Sequence, residues 1–371
     1  MLKEDEDRVA AALKELRLAR DLYCAGLPSY PSNFTRDGFT YALIAQNYAA
    51  LENQVNYCSE LQGRNPDALT GEEPGKIHHE HPGIKFRNRI TTYNACDSTA
   101  LYLLGVCALA KSQHNTDAFT LHAISVHDAI TYIESHVVDG IFYENPVYAG
   151  ADDFALRVTY WKDSVINSPD ERTRYPIVYT LAHFQNALAL YETGKMLKDS
   201  TLVEFGSQMI RRGIEKLWNA DHFVTAIDAQ GNIIDPLSTD SLQSLLYLPK
   251  ELLPESYAQL IQNYSTALET QAGYRTGIPE ANISDTYHTN YVWSHEQALI
   301  HCAAGHHGLS HAQEVTLRIL NYLDDKFPEL IDAQNFTPAG NPLQLWAIGA
   351  YEYLSGLHDQ SHNPFISHSL A

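Results

Sequence analysis

The stretch from Val9 to Tyr23 reads VAAALKELRLARDLY and repeats its apolar residues every three or four positions. This spacing places the apolar side chains on one stripe of an α-helix. The same pattern returns in eleven further stretches, so the sequence predicts twelve helices. The further stretches are 37–47, 49–62, 97–111, 118–136, 176–194, 199–218, 239–247, 255–270, 294–304, 310–325 and 342–356.

The loops between these predicted helices alternate between short and long, and long loops in a compact domain are usually functional. Twelve helices with this alternation suggest six helical hairpins closed into a ring. The predicted fold is therefore an all-α (α/α)6 barrel, formed by a single domain over residues 1–371. One small β-hairpin is expected within 221–234, where residues 228–232 have the composition of a tight turn. The long loops are 24–36, 64–95, 139–175, 271–292 and 326–341.

The composition of the 371-residue chain narrows its function. Hydrophobic residues make up 44%, enough for a sizeable core, and the formal net charge is −20. Nucleic acids and anionic membrane surfaces bind basic protein faces, so neither is expected as a partner. The charged N-terminal segment lacks the apolar core of a secretory signal, and the five cysteines show no paired spacing. We expect a cytoplasmic enzyme with a small neutral or cationic substrate; the oligomeric state is left open.

Two carboxylates lie far apart in the sequence, each in a loop that leads into a helix. Asp163 lies in the aromatic-rich segment 159–164, and Glu329 precedes the helix predicted at 342–356. Hydrolysis of a glycosidic bond needs one protonated carboxyl group and one ionised carboxylate. Aromatic neighbours can desolvate a carboxylate, which raises its pKa. Lys162 is not expected to face Asp163, because adjacent residues of an extended chain point apart. The rival carboxylates are Asp152, Asp153, Glu280 and Glu296.

Aromatic and polar residues near predicted helix starts are suited to binding a sugar ring. Arg36 and Asp37 follow the segment 26–30, and Asp97 follows Tyr93 closely. Each of the two aspartates can alternatively serve only to cap its helix. In the functional interpretation, aromatic faces pack on sugar C–H groups while polar groups bind hydroxyls. The candidate sugar-binding residues are Tyr30, Arg36, Asp37, Tyr93, Asp97, Trp161, Trp293 and Trp346.

The loop 71–81 is rich in histidine and contains His78, His79, Glu80 and His81. These side chains are possible metal ligands. Adjacent residues on one short loop rarely face the same ion, however, and no second cluster with ligand spacing follows. The loop is therefore interpreted as a polar wall of a cleft, and neither a metal nor an organic cofactor is expected.

Six motifs follow one another over roughly residues 20–355. They are Gly26-Leu27-Pro28-Ser29-Tyr30 with Arg36-Asp37, Tyr93-Asn94-Ala95-Cys96-Asp97-Ser98, Trp161-Lys162-Asp163, Asp240-Ser241-Leu242-Gln243, Asn290-Tyr291-Val292-Trp293-Ser294-His295, and Glu329 and Gly340 with Gln344-Leu345-Trp346-Ala347. Taken in this order, the motifs resemble the glycogen-debranching (amylo-α-1,6-glucosidase) group and, more broadly, the glucoamylase-like six-hairpin glycosidases. The sequence departs from that pattern at Ser29, where the family has Trp, at Lys162, where it has Met, and at Asp240-Ser241, where it has Arg-Pro.

The resemblance implies an inverting, exo-acting glycosidase for an α-linked glucoside or short oligosaccharide. It implies Asp163 as the general acid and Glu329 as the general base. Three alternatives stay open. The first is a sugar epimerase with the same (α/α)6 barrel, which would use histidines as acid and base. The second is an unsaturated-uronide hydrolase, which would display basic residues to bind the uronate. The third is a non-catalytic sugar-binding protein, which would tolerate loss of either carboxylate. The histidines considered for the epimerase are His183, His288 and His295.

Overall fold

The computed structural model describes residues 2–163, 173–278, 287–323, 326–357 and 363–366. Within these residues lie thirteen α-helices, and every predicted helical stretch overlaps at least one of them. The stretch 118–136 holds two helices because the chain breaks at His122. The helices are α1 Leu2–Leu16, α2 Thr35–Ile44, α3 Tyr48–Glu60, α4 Ser98–Ser112, α5 Asp117–Leu121, α6 Ala123–Ser135, α7 Thr180–Leu197, α8 Ser200–Leu217, α9 Asp240–Ser244, α10 Tyr257–Tyr264, α11 Ser294–His307, α12 Ser310–Leu317 and α13 Leu345–Leu354.

Six of these helices form a closed inner ring. In ring order, α2, α4, α7, α9, α11 and α13 each contact the next helix, and α13 contacts α2. The other helices lie outside: α3 packs on α2 and α4, α6 on α4, α8 on α7, α10 on α9, α12 on α11 and α1 on α13. This arrangement is an all-α (α/α)6 barrel, as the sequence predicts.

The sequence explains which helices are inside. In α7 every residue from Thr180 to Leu190 is buried, which is typical of a helix surrounded by protein. Its outer partner α8 buries only a stripe, which includes Met209 and Ile210. The two helices approach closely at Gly206, where a Cβ atom would lie 2.6 Å from the backbone nitrogen of Tyr191. Glycine at this position therefore permits the α7–α8 contact.

The first helix differs from its prediction over Val9–Tyr23. It spans Leu2–Leu16, and the chain then turns so that Arg17 pairs with Tyr23 in an isolated antiparallel bridge. The turn contains Arg20 and Asp21 with φ values of 61° and 57°, a conformation that no α-helix can continue. The periodic leucines beyond residue 17 are thus explained by packing of the turn against the core.

Short antiparallel strand pairs connect the helices, and the predicted hairpin within 221–234 is one of them. The side chain of Asp228 accepts hydrogen bonds from the backbone N–H groups of Gln230 and Asn232 in its turn. The other pairs escape prediction because strands of two or three residues are too short to show alternation. The strands are β1 Gly26–Leu27, β2 Asn33–Phe34, β3 Glu80–His81, β4 Lys85–Phe86, β5 Arg89–Ile90, β6 Val137–Val138, β7 Ile141–Phe142, β8 Val178–Tyr179, β9 Trp218–Asn219, β10 His222–Phe223, β11 Ala226–Ile227, β12 Ile233–Ile234, β13 Glu269–Thr270, β14 Gly273–Tyr274, β15 Tyr291–Trp293, β16 Leu330–Asp332, β17 Pro338–Ala339 and β18 Leu343–Gln344.

Four inner helices begin directly after one of these strands. Phe34, Tyr179, Trp293 and Gln344 are the extended residues that immediately precede α2, α7, α11 and α13. Strand pairing therefore fixes the loops at the end of the barrel where the inner helices begin. No helix in the described ranges combines the length and apolar character needed to cross a bilayer.

Candidate active site

A cavity lies where the N-terminal ends of α2, α11 and α13 meet the preceding loops. Its volume is about 90 Å³. Eight of the ten residues that the sequence nominates for catalysis or sugar binding line it. The lining residues are Ala25, Tyr30, Phe34, Arg36, Asp37, His79, Trp161, Asp163, Tyr287, His288, Trp293, Glu329, Gln344 and Trp346.

The other two nominated residues, Tyr93 and Asp97, do not belong to this lining. The Tyr93 hydroxyl donates to the backbone oxygen of Leu61 at 2.6 Å. Asp97 occupies the N-cap position of α4, but its side chain does not cap the helix. Its buried carboxylate instead accepts hydrogen bonds from Arg36, from Nε at 2.8 Å and from Nη2 at 3.1 Å. Arg36, which lines the cavity, thus connects Asp97 to it.

Three tryptophans form the aromatic part of the wall. The Trp161 and Trp293 rings meet edge to face with centroids 5.6 Å apart, and Trp293 meets Trp346 in the same way at 5.5 Å. Behind them, His295 stacks on Trp346 with a centroid distance of 4.0 Å. His288, which lines the cavity, stacks on Trp293 at 5.2 Å. These contacts fix the ring orientations, so the wall is preformed.

Glu329 lies just before β16 and is held at both carboxylate oxygens. Oε1 accepts a hydrogen bond from the Tyr287 hydroxyl at 2.5 Å, and Oε2 accepts one from the Asn341 backbone N–H at 2.8 Å. Burial raises the pKa of Glu329 above its ordinary value, although these two hydrogen bonds act in the opposite direction. The Tyr287 hydroxyl also lies 3.2 Å from that of Tyr30. The result is an oriented carboxylate that is more basic than an exposed one.

Asp163 is partly exposed at the cavity that Glu329 also lines. Its charge acts on a buried carboxylate nearby. Burial raises the pKa of Glu80 to about 7, against the effect of a hydrogen bond from Thr91 and with a contribution from the charge of Asp163. Burial is the main reason that the pKa of Tyr30 is raised, and the charge of Asp163 contributes to the rise. The charge of Asp163 also acts on the Arg36 guanidinium, so Asp163 lies among both acidic and basic groups at the cavity.

Asp37 in the first turn of α2 is almost fully buried at the cavity. Burial raises its pKa to about 8; the positive charge of Arg36 opposes this rise, and the negative charge of Glu329 adds to it. The side-chain nitrogen of Gln344 donates to Asp37 Oδ1 at 3.0 Å. A neutral Asp37 can both donate and accept hydrogen bonds, which suits recognition of a hydroxyl group.

The rival carboxylates lie elsewhere or outside the described residues. Glu296 is buried in the first turn of α11, accepts hydrogen bonds from Thr239 and Thr276, and does not line the cavity. Asp152 is exposed and pairs with Arg89. Asp153 accepts a hydrogen bond from the backbone of the next residue. Glu280 lies outside the described residues.

The histidine-rich loop 71–81 divides its side chains between two surroundings. His79 lines the cavity, whereas His78 and His81 pack against Tyr57. Burial lowers the pKa of His78 to about 3 and that of His79 well below its ordinary value, so both rings are neutral at pH 7. Among the residues that the structure describes, no group of three or more His, Cys, Asp or Glu side chains is arranged to hold a metal ion.

Apart from Ala25, five lining residues were not among the nominated site residues. Gln344 belongs to the closing motif, His79 to the histidine-rich loop, and His288 was considered only for an epimerase. Phe34 and Tyr287 had no sequence signal of their own. Phe34 reaches the cavity through the pairing of β2 with β3, and Tyr287 through its hydrogen bond to Glu329. Both roles depend on tertiary contacts.

No protein-family model matches the chain, and no curated protein matches its sequence. Solved structures do match. The GH63 mannosylglycerate hydrolase from Thermus thermophilus in complex with glucose is similar over 95% of this chain and 99% of that chain, with a TM-score of 0.67 and 14% identity. A GH78 family rhamnosidase of Bacillus sp. GL1 is similar over 94% of this chain and 34% of that chain, with a TM-score of 0.62 and 12% identity. The chain therefore has the fold of the six-hairpin glycosidases, as the sequence resemblance predicts.

Proposed function

We propose that the protein is an exo-acting glycoside hydrolase that cleaves an α-linked glucoside or short oligosaccharide with inversion of configuration. The observation that carries this proposal is that Asp163 and Glu329, from distant parts of the chain, line one cavity. The tryptophans in the same lining offer faces for sugar C–H groups. The cavity, of about 90 Å³, is small for a ligand site, which favours a single terminal sugar unit. The likeness to glycosidases of the same fold adds support.

In the proposed reaction, Asp163 donates its proton to the glycosidic oxygen as the bond to the anomeric carbon breaks. Glu329 accepts a proton from a water molecule that attacks that carbon from the opposite face. One carboxyl loses a proton and the other gains one, so exchange with solvent restores both. The hydrogen bonds from Tyr287 and Asn341 occupy one lone pair on each Glu329 oxygen and leave another for the water.

The charges around the cavity favour a neutral substrate over a uronide. Arg36 is the one lysine or arginine among the described lining residues, and its Nε and Nη2 already donate to Asp97. A substrate carboxylate would also meet the charge of Glu329. Asp37, neutral up to about pH 8, would bind a hydroxyl of the sugar together with Arg36.

The experiment assays the wild type and the variants Asp163→Asn and Glu329→Gln on a panel of α-linked glucosides, mannosides and rhamnosides. Loss of either group should lower kcat by about 10²- to 10⁴-fold, the usual contribution of general acid–base catalysis. Asp153→Asn, in the same loop as Asp163 but outside the cavity lining, is the matched control and should keep activity. NMR of the first product should show the inverted anomer. Retained activity in both site variants would refute the proposal.

A sugar epimerase is the second candidate, because the neutral rings of His79 and His288 also line the cavity. Neither His183 nor His295, which the sequence also nominated, belongs to the lining. His183 accepts a hydrogen bond from the backbone N–H of Phe142 in the core. Incubation of free sugars in D₂O separates the two functions, since an epimerase would introduce deuterium at carbon and a hydrolase would not.

A further inference from the structure

Lys162 stands between two residues that line the cavity, Trp161 and Asp163, yet its own side chain is buried behind the wall. Only 2% of the residue is exposed. The side chain therefore points away from the cavity that its two neighbours line. Its ammonium nitrogen lies 5.0 Å from the centroid of the Trp161 ring, within the range of a cation–π contact.

The buried ammonium group has a complete set of partners. Its Nζ lies 2.5 Å from Asp240 Oδ1 and 3.7 Å from Glu296 Oε1. It donates to Thr239 Oγ1 at 3.1 Å and to the backbone oxygen of Thr276 at 3.2 Å. A buried lysine is tolerated only when it is paired and hydrogen-bonded, so this cluster determines where Lys162 lies.

The charged partners belong to two helices of the inner ring. Asp240 is the first residue of α9, and Glu296 lies in the first turn of α11. Tyr160, two residues before Lys162, donates from its hydroxyl to Asp240 Oδ2 at 3.2 Å. Two side chains of the segment 160–163 are therefore tied to the same carboxylate. Through these contacts, α9 and α11 hold the main chain that carries Asp163.

Lys162 and Asp240 are also two of the places where the sequence departs from the six-hairpin glycosidase pattern, which has Met and Arg there. The structure brings these two departures into one ion pair. Lys beside Arg would bring two cations together, and Asp beside Met would leave a buried carboxylate without its cation.

We propose that Lys162 is a positioning residue for the general acid: its ion pair with Asp240 holds the segment 160–163 so that the Asp163 carboxyl faces the glycosidic oxygen. This role rests on the proposed function, since it assumes that Asp163 is the acid. Lys162 does not touch the substrate. A side chain that only stabilises the fold would leave the relative rates on different leaving groups unchanged.

The first test uses leaving groups, because a misplaced acid harms only those that need protonation. The variants are Lys162→Met, Asp240→Asn and the double variant. Methyl α-glucoside or an α-linked disaccharide should lose about 10-fold or more in kcat/KM, part of the full acid contribution. A dinitrophenyl α-glucoside, whose leaving group needs no proton, should change much less. The double variant should lose little more than either single variant. An equal loss on both substrates would overturn the proposal.

The second test does not depend on activity. Hydrogen–deuterium exchange of peptides covering 158–163 should become faster in Lys162→Met and in Asp240→Asn. Asp240→Asn is the milder change, because Lys162 keeps Glu296 as a charged partner. Lys111→Met is the control. Lys111 lies in the last turn of α4, at the opposite end of the ring from the cavity, is mostly buried and pairs with Glu192 of α7, so its loss should leave exchange in 158–163 unchanged. Unchanged exchange in 158–163 would overturn the anchoring role. A wild type inactive on every glycoside would instead refute the proposed function.

Discussion

Gly340 leaves the space that the carboxylate of Glu329 occupies. A Cβ atom at position 340 would lie closer to Glu329 Oε2 than real Cβ atoms approach other atoms. The two segments are joined by backbone hydrogen bonding as well, since the Glu329 N–H donates to the oxygen of Asn341 at 2.8 Å. Gly340 has a φ of +69°, which L side chains rarely adopt. The orientation of Glu329 and the glycine are therefore linked.

Gly340→Ala should lower activity by displacing the Glu329 carboxylate, with kcat falling about 10-fold or more. The variant should also lose about 1–2 kcal/mol of unfolding free energy from the positive φ. Gly231→Ala is the matched control, because Gly231 has a φ of +78° with nothing near its missing Cβ. It should show a similar loss in urea unfolding but full activity. Equal kcat in the two variants would contradict the link between Gly340 and Glu329.

Tyr287→Phe should shift the acidic limb of the kcat/KM pH profile upward by about one pH unit. The Tyr287 hydroxyl donates to the ionised form of Glu329, so its loss lets burial raise the pKa of this carboxyl further. Because the base acts only when ionised, activity then requires a higher pH. Tyr30→Phe removes a hydroxyl that contacts Tyr287 but not Glu329, and its shift should be smaller. An unshifted limb in Tyr287→Phe would count against Glu329 as the base.

Asp97→Asn should lower the unfolding free energy by about 3–5 kcal/mol, because it leaves the Arg36 cation without its carboxylate in a buried site. The side chains of Arg36 and Asp97 are only 10% and 2% exposed. Asp21→Asn breaks the pair between Arg17 and Asp21, whose side chains are 58% and 63% exposed, and should change the unfolding free energy far less. Denaturant unfolding compares the two. Similar small losses would mean that the Arg36–Asp97 pair does not support the cavity.

Asp37→Asn should remove a pH dependence of stability. Burial raises the pKa of Asp37 to about 8, well above the usual value of about 3.9. The folded protein therefore binds this proton more tightly than the unfolded chain, and the stabilisation is complete below about pH 4. It is lost as pH rises to about 8, by up to about 1.4 kcal/mol per pH unit. The difference in unfolding free energy between wild type and variant should fall over this window. A difference independent of pH would show that Asp37 is not neutral.

Local patterns account for the parts of the fold that the sequence predicts. The outer helix α8 buries one apolar stripe, and the inner helix α7 is buried on all sides, so each type of helix is visible within one stretch of chain. Arg36, Asp37 and Trp346 could be nominated because each lies at a helix start, and a closed ring brings alternate helix starts to one end. Apart from the hairpin of β11 and β12, which its turn residues predict, the two-residue strands form only through their partners and leave no local pattern.

The rest of the site depends on contacts between distant segments. An aspartate at a helix start can cap the helix, bind a sugar or pair with an arginine, and the sequence cannot choose among these roles. Asp97 pairs with Arg36, 61 residues away. Tyr287 reaches Glu329 across 42 residues, with no motif around it. The Lys162–Asp240 pair is visible in sequence only as two unexplained departures.

The most direct measurement is a crystal structure of Glu329→Gln with a bound α-linked oligosaccharide. The account predicts that the anomeric carbon of the terminal sugar lies between Asp163 and residue 329, with the two side-chain terminal groups roughly 6.5–9.5 Å apart and a water beside residue 329. A sugar bound elsewhere would contradict the account. So would a separation of about 5–5.5 Å, which leaves no room for that water and belongs to a retaining mechanism.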